Sequence, residues 1–139
     1  MVTKAADMGV AVFFVTGRPT SQWDATLGNL TDSDTVGLDA GYPTPTMIDL
    51  TGAGDVAPGL FTKPSVGSYP DYLDTPEFCE SAIDAGKSCN TTLYKSGTRA
   101  YIESMGYEII ASFGDQPSDL NGGYADRTFK MPNPNYYLP

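Results

Sequence analysis

The sequence contains no histidine, and this absence limits the chemistry that it can perform. Imidazole is excluded as a general base, as a phosphoryl acceptor and as a metal ligand. Any reaction must therefore use carboxylates, hydroxyl groups, lysine or the two cysteines.

Positive charge is scarce, and long apolar runs are missing. Only 8 lysine and arginine residues stand against 17 acidic residues, which gives a formal net charge of -9. Such a surface repels phosphate backbones, so we expect a divalent cation rather than nucleic acid as a partner. No run approaches the roughly 18 apolar residues that a membrane span requires. The opening MVTKAADMGV lacks the apolar core of a signal peptide, so we expect neither a membrane partner nor an export signal in this chain.

Cysteine occurs only twice, as Cys79 and Cys89 in the loop-like stretch EFCESAIDAGKSCNT. The spacing is not CxxC and the neighbours are polar, which favours a disulfide over a metal pair or a reactive thiol. A disulfide indicates a secreted or periplasmic origin.

The patterns that are present are typical of an α/β protein. The apolar runs VAVFFV at 10–15 and YEIIASF at 107–113 each stop at a glycine-containing loop, as buried parallel strands do. Helices are predicted over 3–8, from Thr20 or Ser21 to about residue 30, and over 95–105, with a third short strand at 128–131. This order predicts a parallel sheet with helices on both faces.

The composition fits one domain over residues 1–139. Residues 1–30 and 92–139 form its predicted core. Residues 31–91 are rich in Gly, Pro, Thr and Asp and have only short apolar pieces, so they are predicted to form an irregular insertion with one short strand.

Residues that follow the apolar runs are the candidates for a phosphate site, because ligands of open α/β sheets bind outside the carboxyl ends of the strands. Thr16, Gly17 and Arg18 follow the first run and offer a hydroxyl group and open backbone N–H groups, which suit a phosphoryl oxygen. Lys95, at the start of a predicted helix, could reach the same edge and neutralise phosphate charge. Taken singly, these residues could be an ordinary strand-to-loop turn and a surface lysine.

Two carboxylates follow the second apolar run. Asp115 and Asp119 lie on a turn where they could bind Mg²⁺, which takes oxygen ligands from one or two carboxylates and water. Each could instead be a helix cap or a solvated carboxylate. Their order along the chain, together with that of Thr16 and Lys95, favours a single site.

These stretches resemble three motifs of the haloacid dehalogenase superfamily. VAVFFVTGR resembles its second motif, YKSGTRAYIE the lysine region of its third, and GDQPSDLNGGYADRTFKMPNPNYYLP its fourth motif and C-terminal strand. The last stretch is especially similar to the secreted acid phosphatases of subfamily IIIB, which are related to plant vegetative storage proteins. The resemblance covers residues 1–30 and 92–139.

The resemblance implies a role for each candidate residue. Thr16 would bind the transferring phosphoryl group, and Lys95 would stabilise nucleophile and phosphate. Asp115 would bind Mg²⁺ with Asp119 beside it.

The resemblance also implies that one motif is missing. The family's nucleophile and general acid/base come from an Asp-x-Asp-x-Thr segment after a first strand, which would precede residue 1, so we expect an N-terminally truncated domain. DSDT at 32–35 matches the letters but follows no apolar strand, and it is interpreted as a turn. In the family the first strand lies at the sheet centre, and its loss would expose an apolar edge. We therefore expect a homodimer or a larger homo-oligomer.

The sequence thus predicts a divalent-metal-dependent phosphoric ester hydrolase that acts on a small phosphate ester, as a phosphomonoesterase or phosphodiesterase. Asp115, Asp119 and a metal-bound water would replace the aspartyl nucleophile, with Lys95 in support. Two alternatives remain open. The chain could be a catalytically inactive fragment of the family, or a storage or binding protein.

Overall fold

The computed structural model describes residues 1–31, 42–43, 45–49, 54 and 56–133. DSDT at 32–35 and the tail from residue 134 lie outside the described residues. The chain divides into two compact units, an N-terminal unit of residues 1–62 and a C-terminal unit of residues 63–139. The predicted division into a core and an insertion stays a prediction.

Among its described residues, the N-terminal unit combines two helices with short strands. Gly9, at φ +75°, follows the first helix in the left-handed conformation that glycine tolerates best. β2 and β3 pair antiparallel, and β1 pairs with β4. The elements are α1 (Val2–Asp7), β1 (Phe14–Pro19), a 3-10 turn (Thr20–Gln22), α2 (Trp23–Thr31), β2 (Met47–Asp49), β3 (Val56–Pro58) and β4 (Leu60–Lys63), of which the last residue, Lys63, is the first of the C-terminal unit.

The core of this unit forms where β4 meets α2 and the segment before β1. Leu60 is buried, and its carbonyl accepts a hydrogen bond of 3.0 Å from the indole of Trp23. Gly59 lies so close to Phe13 that an added Cβ would come within 2.5 Å of the ring. Only glycine lets the backbone approach the aromatic side chain at this point.

Two predictions for this unit were wrong. The strand predicted at 10–15 begins at Phe14 and includes Thr16 to Arg18. Val12 lies outside the strand because both of its backbone groups bond to Thr46. Its N–H donates to Thr46 Oγ1, and its carbonyl accepts from Thr46 N–H. The described residues in the middle of the chain include three short strands rather than one. They form because β2 and β3 pair with each other while β4 pairs with β1.

The described part of the C-terminal unit, residues 63–133, contains a parallel strand pair and three helices. Ser112 to Gly114 of β5 align with Thr128 to Lys130 of β6. Helices and strands follow one another along the chain, which confirms the predicted α/β class. The elements are a 3-10 turn (Asp71–Leu73), α3 (Glu80–Asp84), α4 (Thr91–Ser104), β5 (Ser112–Gly114), α5 (Pro117–Leu120) and β6 (Thr128–Lys130).

β5 is shorter than the strand predicted at 107–113. The lead-in residues make other bonds: Ile110 N–H donates to the carbonyl of Glu108, and the carbonyl of Ile109 accepts from Asp126 N–H. The chain before Ser112 therefore has no regular strand pairing, although Ile109 is already bonded to the segment that leads into β6.

Helix α4 is the centre of the C-terminal unit. Asn90 caps it by accepting a hydrogen bond of 2.8 Å from Thr92 N–H, the usual role of a short polar side chain at a helix start. The predicted disulfide is present between Cys79 and Cys89, and both cysteines are buried. The crosslink therefore ends immediately before the cap of α4.

No helix in the part of the chain that the structure describes is both long enough and apolar enough to cross a bilayer.

Candidate functional site

Lys95 lies in the second turn of α4 and is directed at the loop after β5. Its ammonium group forms an ion pair with Asp119 and lies 3.4 Å from Ser118 Oγ. The Lys95 side chain is only 8% exposed and that of Asp119 14%. A lysine at this depth requires a charged partner, because an unpaired buried charge is strongly unfavourable.

The loop after β5 is built so that Asp119 turns back toward the strand. Pro117 begins α5, a position where its missing N–H has no helical partner to lose. Gln116 N–H donates a hydrogen bond of 2.9 Å to Asp119 Oδ2, while Oδ1 contacts Lys95. Gly114 leaves room for this arrangement, since an added Cβ would lie 2.0 Å from the Asp119 Cβ. Asp119 therefore links Lys95 to the loop.

Asp115 lies beside Asp119 and has a different set of hydrogen-bond partners. Its Oδ2 accepts hydrogen bonds from the side-chain amides of Gln116, at 3.2 Å, and Asn133. Burial works to raise the pKa of Asp115, but these hydrogen bonds and the charge of Lys95 outweigh it, so the pKa lies below its usual value. Asp115 thus stays ionised into the acidic range.

Arg99 holds the loop that follows α5, a role that the sequence analysis missed. Its guanidinium donates to three backbone carbonyls: Asp119 at 3.1 Å, Asn121 at 2.5 Å and Gly123 at 2.8 Å. Arg99 is buried, and burial lowers its pKa. The planar, five-donor guanidinium is suited to several fixed acceptors at once.

The backbone of this loop explains how the carbonyls converge. Gly122, Gly123 and Tyr124 all have positive φ, at 92°, 79° and 59°. Ser96, on the same helix as Arg99, donates its hydroxyl to the Gly122 carbonyl. The signal in the sequence was a pair of polar residues close after Lys95 in a predicted helix, together with the Asn-Gly-Gly turn.

Asp115 and Asp119 differ in how well they could serve as ligands of a divalent cation. Among the described residues, no three acidic or cysteine side chains lie close enough together to hold a metal ion. Both oxygens of Asp119 are engaged within the protein. Asp115 fits the role of a single carboxylate ligand, because Mg²⁺ commonly keeps several waters and uses one or two carboxylates plus substrate phosphate.

Thr16, Gly17 and Arg18 belong to the N-terminal unit. Thr16 Oγ1 accepts a hydrogen bond of 3.3 Å from Arg18 N–H, and the Arg18 guanidinium lies 3.5 Å from Thr26 Oγ1. Gly17 and Arg18 are exposed. The structure therefore brings together Lys95, Asp115 and Asp119, whereas a shared phosphate site with Thr16 stays a prediction.

Comparison with known proteins gives short but consistent similarities to plant proteins. The chain is 47% identical over 51 residues to the stem 28 kDa glycoprotein of Glycine max, covering 35% of this chain and 20% of that protein. It is 41% identical over 54 residues to vegetative storage protein 2 of Arabidopsis thaliana, covering 39% and 20%. It is 45% identical over 56 residues to acid phosphatase 1 of Solanum lycopersicum, covering 40% and 21%. The matches therefore span about a fifth of the length of these relatives.

A family model matches residues 80–139, which include Lys95, Asp115 and Asp119. The family is described as the HAD superfamily, subfamily IIIB (acid phosphatase). The matched residues include Lys95, the two aspartates and the loop whose carbonyls accept hydrogen bonds from Arg99. Residues 80–139 are therefore similar to the HAD superfamily, subfamily IIIB.

Proposed function

We propose that the protein is a divalent-metal-dependent hydrolase of small phosphate esters. One observation carries the proposal: Lys95, Ser118 and Asp119 meet beside Asp115 at the carboxyl end of β5. A cation, a hydroxyl group and an ionised carboxylate at this edge are what phosphoryl transfer needs for positioning and charge stabilisation.

Each residue has a distinct role in this proposal. Lys95 donates a hydrogen bond to a phosphoryl oxygen and offsets the charge that develops there. The Ser118 hydroxyl adds a second donor. Asp119 keeps the ammonium group of Lys95 directed at the site, since Lys95 would otherwise sample many rotamers.

Asp115 is the residue that would hold a metal ion, with Mg²⁺ the ion expected from the family. Such an ion would neutralise charge on the phosphoryl oxygens. Asp115 suits this task in acid, because the hydrogen bonds from Gln116 and Asn133 keep its pKa low.

The attacking group is assigned to water. Asp115 and Asp119 are joined by no third acidic side chain among the described residues. Asp119 is held by Lys95, so it is poorly placed to attack phosphorus.

The proposal is tested by assaying the purified chain on 4-nitrophenyl phosphate and bis(4-nitrophenyl) phosphate, with Mg²⁺ and with chelator. We expect metal-dependent turnover that falls about a hundredfold or more in Lys95→Met, because that variant loses a charge-stabilising donor. Asp115→Asn should weaken the response to Mg²⁺. Lys87→Met, which alters an exposed lysine after α3, is the matched control and should retain full turnover. Turnover that survives both site variants would refute the assignment.

A second candidate function is storage or binding without catalysis. It is favoured by the relatives from Arabidopsis thaliana, two of which are named vegetative storage proteins. The two functions differ in their expected results. A binding protein would bind inorganic phosphate through Lys95 but show no turnover of either ester.

We also propose passage through the secretory pathway. The Cys79–Cys89 disulfide is stable in an oxidising compartment. Two relatives from Glycine max are named glycoproteins, which fits the same compartment.

Self-association remains part of the proposal. Phe113 of β5 and Phe129 of β6 stack with ring centroids 4.7 Å apart, yet they are 44% and 42% exposed. Paired aromatic side chains on a two-stranded sheet offer an apolar surface for a second copy of the chain.

A further inference from the structure

Lys63 lies at the start of the C-terminal unit and reaches the first turn of α4. Its ammonium group donates a hydrogen bond of 3.1 Å to Thr91 Oγ1. Lys63 and Thr91 are both half-buried. Neither residue belongs to the motifs identified in the sequence, and neither has a role in the proposed function.

Helix geometry relates this contact to the candidate site. Thr91 and Lys95 lie four residues apart on α4, so they occupy the same face on successive turns. Lys63 meets this face at the first turn, and Asp119 and Ser118 meet it at the second. Two ammonium groups are therefore aligned along one side of the helix.

The ammonium groups are close enough to influence one another. Burial lowers the pKa of Lys63, the charge of Lys95 lowers it further, and Tyr69 acts in the opposite direction. A ligand that carried negative charge at both turns would relieve this repulsion while it bonded to both lysines.

Thr91 adds a directional donor at the same point. Its oxygen accepts from Lys63, which leaves its own hydroxyl hydrogen available to a ligand oxygen. A lysine charge and a hydroxyl group side by side form a small anion-binding pair.

We propose that Lys63 and Thr91 form a second anion subsite beside Lys95, which selects phosphate esters whose leaving group carries another anionic group, a phosphate or a carboxylate. This inference rests on the proposed function, since it takes Lys95 as the site of the transferring phosphoryl group. A substrate with one phosphate would occupy the Lys95 end alone. A substrate with two anionic groups would span both turns of the helix.

The test is isothermal titration calorimetry of the full 139-residue chain with inorganic phosphate and with methylenediphosphonate, which cannot be hydrolysed. We expect the diphosphonate to bind about tenfold more tightly than phosphate, the gain typical of an added charge-assisted hydrogen bond. Lys63→Gln should reduce this ratio to near one. Lys63→Arg, which keeps the charge, should retain most of it.

Further variants separate the subsite from general charge effects and from unfolding. Lys87→Gln removes an exposed lysine and should leave the ratio unchanged. Thr91→Val removes only the hydroxyl group and should lower the ratio severalfold even if Lys63→Gln folds poorly. Circular dichroism establishes that each variant is folded.

The outcomes distinguish this inference from the proposed function. If phosphate binding depends on Lys95 but the wild-type chain shows no preference for diphosphonate, or if Lys63→Gln and Thr91→Val keep the preference, the subsite is wrong and the proposed function stands. If the chain binds neither anion, both fail. Loss of the preference in Lys63→Gln and Thr91→Val, with the preference kept in Lys63→Arg and Lys87→Gln, supports the subsite.

Discussion

Arg18 and Arg99 each follow a feature that identified a candidate site in the sequence, but their surroundings differ. Arg18, in the N-terminal unit, is exposed, and its guanidinium contacts only side chains, Thr26 Oγ1 at 3.5 Å and the amide oxygen of Asn29 at 3.1 Å. Arg99, in the C-terminal unit, is buried and donates to three carbonyls. The Arg18 guanidinium remains exposed to water, whereas backbone carbonyls take the place of water around the Arg99 guanidinium.

The difference shows where the C-terminal unit derives its order. The loop after α5 contains two glycines with positive φ and little apolar surface, so it has a large conformational entropy to lose. From a single helix, Arg99 and Ser96 compensate by bonding to three of its carbonyls and to the carbonyl of Asp119 in α5. The helix that carries Lys95 therefore also orders the loop that follows Asp119.

The strongest way to break this contrast is to truncate each arginine. Arg99→Ala should lower the free energy of unfolding by about 3 kcal/mol, because three carbonyls lose a charged donor at a buried position. Arg18→Ala should change it by less than about 0.5 kcal/mol, as is usual for an exposed side chain. Urea denaturation followed by circular dichroism measures both.

Equal effects from Arg99→Ala and Arg18→Ala would contradict the contrast between the two units. Arg99→Lys adds a further control. It keeps the charge but cannot supply three donors in a planar array, so it should recover only part of the loss.

Two helix glycines sharpen the comparison with changes of opposite sign. Gly97 in α4 is packed so tightly that an added Cβ would lie 2.7 Å from Leu73 and 2.9 Å from Phe78, whereas Gly28 in α2 has nothing within 4 Å. Gly97→Ala should destabilise the protein by about 1 to 2 kcal/mol through overpacking. Gly28→Ala should stabilise it by up to about 1 kcal/mol through helix propensity. Thermal unfolding of the two variants checks the signs, and a stabilising Gly97→Ala would mean that α4 is loosely packed.

The smallest expected effect is on the pKa of Asp115 and on stability at acidic pH. The folded pKa of Asp115 lies below its unfolded value, so this carboxylate contributes stability at pH above the unfolded pKa, and the contribution is lost as pH falls toward the folded pKa. Asn133→Ala removes one hydrogen bond to Asp115 and should raise the pKa of that carboxyl group. Carbon-13 NMR of the aspartate carboxyls measures the shift.

Asn121→Ala is the matched control for this titration, because it alters an exposed amide in the neighbouring loop. An Asp115 titration that is the same in Asn133→Ala and wild type would show that Asn133 does not hold the carboxylate.

Sequence reasoning located Lys95, Asp115 and Asp119 because local patterns point to them. An apolar run that ends at Gly114 marks a strand end, and a polar helix with a lysine at its start precedes it. The same reasoning placed β1 too early, because its true ladder begins where the chain meets Gly59, far along the sequence. Contacts of that kind depend on tertiary pairing and leave no local pattern.

Arg99 was missed for a related reason. A polar residue within a helix is most often on the surface, and nothing local distinguishes an arginine that bonds to solvent from one that bonds to a folded loop. The positive φ angles of Gly122 and Gly123 turn the carbonyls toward the helix. Only the three-dimensional course of that loop reveals what Arg99 does.

The crosslink between Cys79 and Cys89 limits the conformations open to the unfolded C-terminal unit. Because it closes the chain immediately before Asn90, it restricts the unfolded ensemble on the side from which α4 must begin. Reduction of the two cysteines would therefore lower the free energy of unfolding of the unit whose helix carries Lys95 and Arg99. Two residues outside the candidate site thus bear on the stability of the site itself.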